Sequence, residues 1–408
     1  MKVAIIGAGA AGCFCAAHLH SLCPEAEIDM FERGSKPLQK VAITGGGRCN
    51  LTNSFAEVKS LQQVYPRGAN LMKRLFRQFG PEQTMQWFEA QGVRLVTQPD
   101  QCVFPRSQDA MEVVSTLLRS MQGVHIYCNH RIDSLPKGYD YTVITTGGSP
   151  QASGLSFLDP LELELVPPVP SLFTFNIGRK SPDVPPVTEL MGVVVERVTA
   201  TLAGTKFKAE GPLLITHWGM SGPAILKLSS HGARYLAEHD YRASLCVNWM
   251  GTMNEEEVHQ LLTQLLDANR QKQISNLRIA ATDYKANESL FSQRIWNYLL
   301  LLAGIAPERR CAEVGSKQLR RLCSVLTADV YPITGQSRFK EEFVTCGGVA
   351  LSNVDPQTLE CRRHPGIYLA GEVLDVDAVT GGFNLQAAWT MGCVVARSIA
   401  ASSAHAKA

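Results

Sequence analysis

Three glycines in Gly7-Ala8-Gly9-Ala10-Ala11-Gly12 follow a short apolar run, Val3 to Ile6, and lead into an alanine-rich segment reaching about Leu22. Glycine at the first position permits a tight turn, at the second lets a pyrophosphate approach the backbone, and at the third lets a helix lie close on a strand. Unpaired N–H groups at the start of that helix then face the phosphates. Glu32 stands twenty residues beyond Gly12, at the end of a second strand-like run, Ile28 to Phe31. There its carboxylate can accept hydrogen bonds from the hydroxyls of an adenosine ribose. The glycine spacing alone is a weak signal, but strand, turn, helix and acid in this order read as a dinucleotide-binding unit.

A second constellation is Thr44-Gly45-Gly46-Gly47-Arg48-Cys49-Asn50-Leu51-Thr52-Asn53. Consecutive glycines let backbone N–H groups crowd against a ligand, and Arg48 offers a fixed cation to a phosphate or a ring carbonyl. Gly371-Glu372-Val373-Leu374-Asp375 falls at the C-terminal end of an expected strand, where ligands of open α/β sheets bind. Thr380-Gly381-Gly382-Phe383-Asn384-Leu385-Gln386 then opens a helix. Its N-terminus can stabilise negative charge by roughly 0.3 to 2 kcal/mol. Gly382 is the critical residue if the backbone must approach the ligand closely. Either glycine segment taken alone is as compatible with a structural turn as with a ligand loop.

Two further side chains carry possible chemistry. Cys49 is either a thiol beside a redox centre or a small buried hydrophobe, and no second cysteine lies within a few residues to resolve a disulfide. Histidine is the side chain suited to proton transfer at physiological pH, and His217 precedes an expected helix start at Ser221-Gly222-Pro223, so it is a candidate proton shuttle, with a hydrogen-bonded structural histidine as the alternative. The basic runs Lys73, Arg74, Arg77 and Lys317, Arg320, Arg321 are spaced as solvated helix faces.

The elements that must position these residues alternate at first. Val3–Ile6 and Ile28–Phe31 read as strands, Met111–Met121 as a helix, Val124–Tyr127 and Tyr141–Thr145 as strands ending at Gly147-Gly148. That order fits a doubly wound parallel sheet. From about Leu165 the texture changes, with prolines at 167, 168, 170, 185 and 186 punctuating strand-like segments at Leu172–Phe175, Val193–Thr201 and Leu213–Thr216. These suggest a small antiparallel barrel. Asn254–Leu266 and Ser289–Leu302 have helical periodicity, with Asn254 as N-cap before three glutamates. After Tyr331-Pro332 the β/α texture returns, with a strand at Gly366–Gly371 and a long helix at Asn384–Ala400. The expected architecture is therefore α/β: a Rossmann-like nucleotide-binding domain over 1–186 and 339–408, interrupted by a β-barrel plus helical domain over 187–338.

Composition bounds the classes. A chain of 408 residues, 45% hydrophobic and 19% charged, is long enough for two or three cores and is not disordered. Lys plus Arg is 39 against Asp plus Glu 37, so a net charge of +2 provides no global field toward nucleic acid or an anionic membrane. Twelve cysteines without a CxxC pair point to reduced thiols in a cytoplasmic protein and away from a zinc site. The uncharged stretch Val3–Pro24 reads as the strand, glycine turn and helix of the dinucleotide unit rather than as a signal peptide, and Ala378–Ala396 as a glycine turn running into a buried helix rather than as a membrane span.

The combination resembles the bacterial FAD-binding flavoprotein family labelled aminoacetone-oxidase-like or bile-acid-reductase-like. The resemblance covers nearly the whole chain and rests on GAGAAG, GGGRCNLTN, Thr216-His217-Trp218-Gly219-Met220-Ser221-Gly222-Pro223, Val344-Thr345-Cys346-Gly347-Gly348-Val349 and GEVLDVDAVTGGFNLQ. It implies a glutathione-reductase-type FAD domain with barrel and helical inserts. It also implies FAD held by Gly7, Gly9, Ala10, Ala11, Gly12, Glu32, Arg33, Lys40, Gly46, Gly47, Arg48, Cys49, Asn50, Gly147, Gly371, Glu372, Asp375, Gly381, Gly382, Phe383, Asn384 and Leu385. The reaction so implied is hydride transfer between flavin and a small organic substrate, as amine oxidation or enone reduction. No second GxGxxG occurs, which argues against a dedicated NAD(P)H domain: electrons reach the flavin either from the organic substrate itself, with oxygen or another acceptor reoxidising it, or from NAD(P)H docking transiently at the ring. The expected partner is a small molecule, with neither nucleic acid nor membrane. A non-catalytic flavin-binding protein contacting RNA through the basic helices is the alternative.

Overall fold

The computed structural model describes residues 1–149, 151–279, 289–336 and 344–407. Contacts divide the chain into two units, Met1–Ser171 with Lys340–Ala408, and Leu172–Phe339.

The first unit is built on a five-stranded parallel sheet. Its central strand is β1 (Lys2–Ile6), followed by α1 (Ala10–Leu22) and β2 (Glu27–Phe31). Across the sheet the order is Ile367–Leu369, Tyr141–Ile144, β1, β2, His125–Tyr127. Every residue of β1 after Lys2 is buried, as expected for a strand covered on both faces. α1 buries eight small or apolar residues, and the last helix, Phe383–Lys407, packs against it. A β-carbon placed on Gly392 would lie 2.5 Å from the carbonyl oxygen of Ala11, so the two backbones meet there almost directly. The glycines in the Ala378–Ala396 stretch thus serve close packing, and no described helix is long and apolar enough to cross a membrane.

The proline-rich segment forms a strand, Leu165–Ser171, that pairs antiparallel with Val344–Val349 in a two-stranded sheet. Prolines are tolerated because such a strand leaves one edge without ladder bonds. The strand expected at Leu172–Phe175 is displaced. Leu172 takes a left-handed φ of 56°, which breaks the chain direction, and pairing resumes only at Phe175–Ile177.

The second unit holds a closed six-stranded antiparallel barrel in the order Val194–Leu202, Lys208–Ile215, Gly219–Ser221, Phe175–Ile177, Asp329–Gln336, Ala243–Asn248. Because Phe175–Ile177 pairs with Gly219–Ser221 and with Asp329–Gln336, this unit starts at Leu172, ahead of the Val187 expected from texture. The expected end at Arg338 lies outside the described residues. Helices Glu255–Ala268, Gln293–Leu302 and Ser316–Thr327 belong to the same unit. Asn254 caps the first of them reciprocally: its side chain accepts from Glu257 N at 2.9 Å while Glu257 Oε2 accepts from Asn254 N at 2.7 Å.

One partly buried group gives the first unit a pH dependence. His18 of α1 lies 4.4 Å from the ring of Phe14 and stacks on Trp87 at 5.3 Å. Burial lowers its pKa to about 4 from the ordinary 6.5; the bond to the Phe14 carbonyl opposes this and the charge of Arg397 adds to it. A histidine held neutral in the fold stabilises it above the unfolded value, and that contribution is lost as pH falls from 6.5 toward 4. Urea unfolding of the native protein should therefore weaken over that window. In His18→Phe, which keeps the apolar stack, the fall should be shallower; equal slopes would remove His18 from the account.

Candidate functional site

The turn after β1 has the geometry expected of a dinucleotide cradle. Gly7 has φ +105°, and a β-carbon on it would lie 2.5 Å from the Thr145 carbonyl oxygen. A β-carbon on Gly12 would lie 2.1 Å from the Gly7 oxygen, so α1 sits on the strand at contact distance. Gly9 differs: it is extended, it caps α1 with no side chain, and a β-carbon there meets nothing within 4 Å. The first turn of α1, with Ala10 and Ala11, therefore offers backbone donors to open space. Thr145, which sequence reasoning did not single out, braces this turn by donating to the carbonyls of Ile6 and Gly7 at 3.1 and 2.8 Å.

Glu32 ends β2. Its Oε2 accepts from Ala8 N at 2.9 Å and its Oε1 from Gly34 N at 2.6 Å. Each oxygen keeps a second lone pair for a ligand. A cleft of about 560 Å³ opens at these strand ends, lined by Gly7, Glu32, Arg33, His130 and Gly147 among others.

The GGGRCN segment begins where the helix that precedes it breaks. The helix Gln39–Gly47 breaks at Thr44, with ψ 147°, and Gly45, Gly46 and Gly47 follow at φ +59°, +68° and +81°. β-carbons on Gly46 and Gly47 would meet nothing within 4 Å. Arg48 is exposed, donates to the Gly45 carbonyl at 3.1 Å and lies 4.8 Å over the ring of Phe104. Cys49 is fully buried with φ +59°, and burial pushes its thiol up to about 12 against the opposing effect of Thr44. It stays a thiol at neutral pH. Lys40 reaches Glu372 at 3.5 Å, and Glu372 Oε1 also accepts from Thr345 N at 2.7 Å.

The fold joins this segment to the last helix, some 330 residues later. Asn53 Nδ2 donates to the Gly381 carbonyl at 3.1 Å, Thr52 donates to Gln386, and Trp389 Nε1 donates to the Leu51 carbonyl at 2.9 Å. Gln386, buried, donates onward to Thr84 and Thr390 at 2.8 and 3.0 Å. Tyr65 donates to the Phe383 carbonyl at 2.7 Å. Asn384 and Ala378 exchange two bonds of 2.9 Å, closing the loop before the helix. Leu385 packs on the core from its half-buried position, and Asp375 N bonds the Val349 carbonyl at 2.9 Å. Gly371, φ +83°, abuts Ala11, placing the end of Ile367–Leu369 against the first turn of α1.

Sequence reasoning named Thr52 and Gln386 only as members of their motifs, without a role, and did not single out Tyr65; a glutamine on the buried face of an expected helix was the available signal. Arg67 and Asp377, a buried ion pair, were also missed. Burial raises the Asp377 carboxyl, opposed by Arg67 and by Ser171, which donates to it at 3.1 Å. His217 belongs to the second unit. It is exposed at a hairpin tip closed by Thr216 N to Gly219 O at 2.8 Å, with its ring 3.7 Å from that of Trp218.

A fold of this kind, with an uncapped helix start, glycine positions open to a ligand and an acid at the end of β2, is that of a flavin-dependent oxidoreductase. Family models match as an HI0933-like protein Rossmann domain over residues 1–155 and an HI0933-like protein barrel and H2TH domain over 169–344, and the chain belongs to this family of FAD-dependent enzymes. It is 27% identical to the 3-dehydro-bile acid delta(4,6)-reductase of Clostridium scindens, over 98% of this chain and 99% of that one. It is 26% identical to the ribosomal RNA dihydrouridine synthase of Escherichia coli, over 98% of each. Among solved structures it is similar to the E. coli quinol fumarate reductase, with a TM-score of 0.47 and 14% identity over 100% of this chain and 71% of that one. It is also similar to the 3-ketosteroid delta1-dehydrogenase of Sterolibacterium denitrificans, with a TM-score of 0.43 and 11% identity over 98% and 99%.

Two outcomes test this site. Gly382 was expected to be glycine so that the backbone could approach a ligand. A β-carbon there instead lies 2.3 Å from the Thr52 carbonyl oxygen, so the demand comes from the protein itself. Gly382→Val should lower the melting temperature of the apoprotein by several degrees; an unchanged apoprotein would return the demand to the ligand. Glu32→Gln should weaken FAD by about ten- to a hundredfold, the worth of hydrogen bonds to a charged acceptor. Titration calorimetry of native and variant protein with FAD and with FMN checks it, and native protein binding both equally would overturn it.

Proposed function

We propose that this enzyme reduces a carbon–carbon double bond conjugated to a carbonyl, using electrons from NAD(P)H. The observation that carries the reading is chemical agreement between two relatives that span the chain end to end. A 3-dehydro delta(4,6) bile acid has its double bonds conjugated to the 3-carbonyl, and uridine has a 5,6 double bond conjugated to a ring carbonyl. The skeletons share nothing else, so the common element is the bond reduced.

FAD, when bound, supplies hydride transfer at its ring system. The chain does the rest. The uncapped first turn of α1 binds the pyrophosphate, and Glu32 accepts from the ribose hydroxyls. Gly46 and Gly47, open on the side of their missing β-carbons, and the start of the last helix would hold the ring system. Saturating the bond adds one hydride to the carbon β to the carbonyl and one proton to the α carbon, while NAD(P)H becomes NAD(P)+. Cys49, held neutral by burial, provides no thiolate for a dithiol relay. A cytoplasmic location, where NAD(P)H is available, is part of this reading.

Anaerobic stopped-flow mixing tests the reaction class. NADH or NADPH should bleach the flavin absorbance, and a cyclic enone should restore it with formation of the saturated ketone. Bleaching by amines and none by either nicotinamide would establish amine oxidation instead.

A further inference from the structure

Two asparagines of the 44–53 segment converge on one peptide group. Asn53 Nδ2 donates to the Gly381 carbonyl at 3.1 Å and its Oδ1 accepts from Phe55 N at 2.9 Å, so both ends of that amide are engaged within the protein. Asn50 is engaged at both ends as well, with its amide oriented so that each atom is satisfied: Nδ2 donates to the Thr52 carbonyl at 3.0 Å and Oδ1 accepts from Gly382 N at 3.2 Å. The Gly381 carbonyl and the Gly382 N–H are the two ends of a single peptide plane. Each asparagine holds one end.

Without them that plane would be loose. Gly381 and Gly382 have φ of +127° and +86°, and with no β-carbon on either side the peptide between them turns over at little steric cost. Turning it exchanges a donor for an acceptor immediately before the last helix. Asn384, the polar side chain at the helix start itself, is committed to Ala378 by two bonds of 2.9 Å and does not restrain the plane. Tyr65 holds the Phe383 carbonyl, one peptide further on.

The orientation of this plane decides what the helix start presents. The Gly382 carbonyl accepts the first helical bond, from Gln386 N at 3.0 Å. The N–H groups of Phe383, Asn384 and Leu385 have no acceptor among the described residues, whereas that of Gly382 is taken by Asn50. A flavin that gains negative charge on reduction is stabilised by such donors and destabilised by a carbonyl turned among them. We propose that Asn50 and Asn53 are positioning residues: by gripping the two ends of the Gly381–Gly382 peptide they fix its orientation, and with it the reduction potential of the bound flavin. Asn50 thus acts through the Gly382 amide and not as the direct FAD ligand that the family resemblance implies. The proposal rests on FAD lying at the start of the last helix, as in the reading above, and is independent of which bond the enzyme reduces.

The test reads two quantities in the FAD-loaded protein, hydrogen exchange over residues 378–386 and the flavin midpoint potential, titrated with dithionite against a reference dye so that no substrate enters. A failed enone assay therefore leaves it intact. Asn50→Ala and Asn53→Ala should each exchange faster than the native protein. Each should also lower the potential by about 30 mV, a roughly tenfold loss of preference for reduced over oxidised flavin. Because both residues grip one peptide, the double variant should fall no further than either single one, where two independent ligands would add to about 60 mV. Asn50→Ser and Asn53→Ser, which remove less of each side chain, carry the same comparison if an alanine variant releases FAD. Faster exchange at an unchanged potential would leave the two residues merely structural. A lower potential at unchanged exchange would make Asn50 a ligand of the flavin, and additive shifts would mean two separate sites; each of these three results overturns the proposal.

Discussion

The contact on which the frame of the first unit depends is that between the backbone at Gly382 and the carbonyl of Thr52. It leaves no room for a side chain. Once the chain is held that close, Asn53 can reach Gly381, Thr52 can reach Gln386, and Trp389 can reach Leu51. Two segments that are distant in sequence thereby become one surface. The glycines at 46 and 47 remain open to a ligand only because others, at 12, 382 and 392, are consumed in bringing backbones together. The two uses of glycine are inseparable here: close packing fixes the frame, and the frame presents the open positions.

The insert is accommodated by the same economy of contact. The chain leaves the first unit at Ser171, whose partner across the ladder is Val344, the first residue of the returning strand. Exit and re-entry are therefore adjacent, which is how a domain can interrupt a sheet protein without disturbing its strand order. Ser171 is held as well by its bond to Asp377, and Asp377 by Arg67. A buried carboxylate with only one partner would be costly, so the ion pair and the hydroxyl together keep the ladder end attached to the loop that precedes the last helix.

Much of this was legible in the sequence. The β1–turn–α1–β2 unit reads directly because each element has a local cause: buried strand, obligatory glycine, small-residue helix, terminal acid. The barrel was legible as texture, but its first strand was misplaced by a few residues because nothing local announces the left-handed turn at Leu172. The distant partners of Thr145, Tyr65 and Gln386 were not legible, although a glutamine on the buried face of an expected helix marked Gln386 itself. Each acts on a residue more than a hundred positions away, and a single sequence has no signal for which distant carbonyl a hydroxyl will meet. Cys49 shows the opposite case: its sequence context invited a redox role, while its burial, a property of the fold, decides its protonation.

Charge shows how far a sum can mislead. A surplus of two positive charges over 408 residues implies no field worth mentioning, and that argument is sound for the molecule as a whole. A ligand does not meet the whole molecule. Within a Debye length of about 8 to 10 Å it meets only the charges whose separation the fold has fixed. Helical spacing places Lys73, Arg74 and Arg77 near one another, and so far the sequence and the sum agree on a solvated face. Arg397 joins them in lining one cleft by tertiary structure alone, through a helix whose other end lies at the glycine framework. What converts a basic face into a groove is thus the same packing of the last helix that assembles the redox site, so the two features share one structural cause.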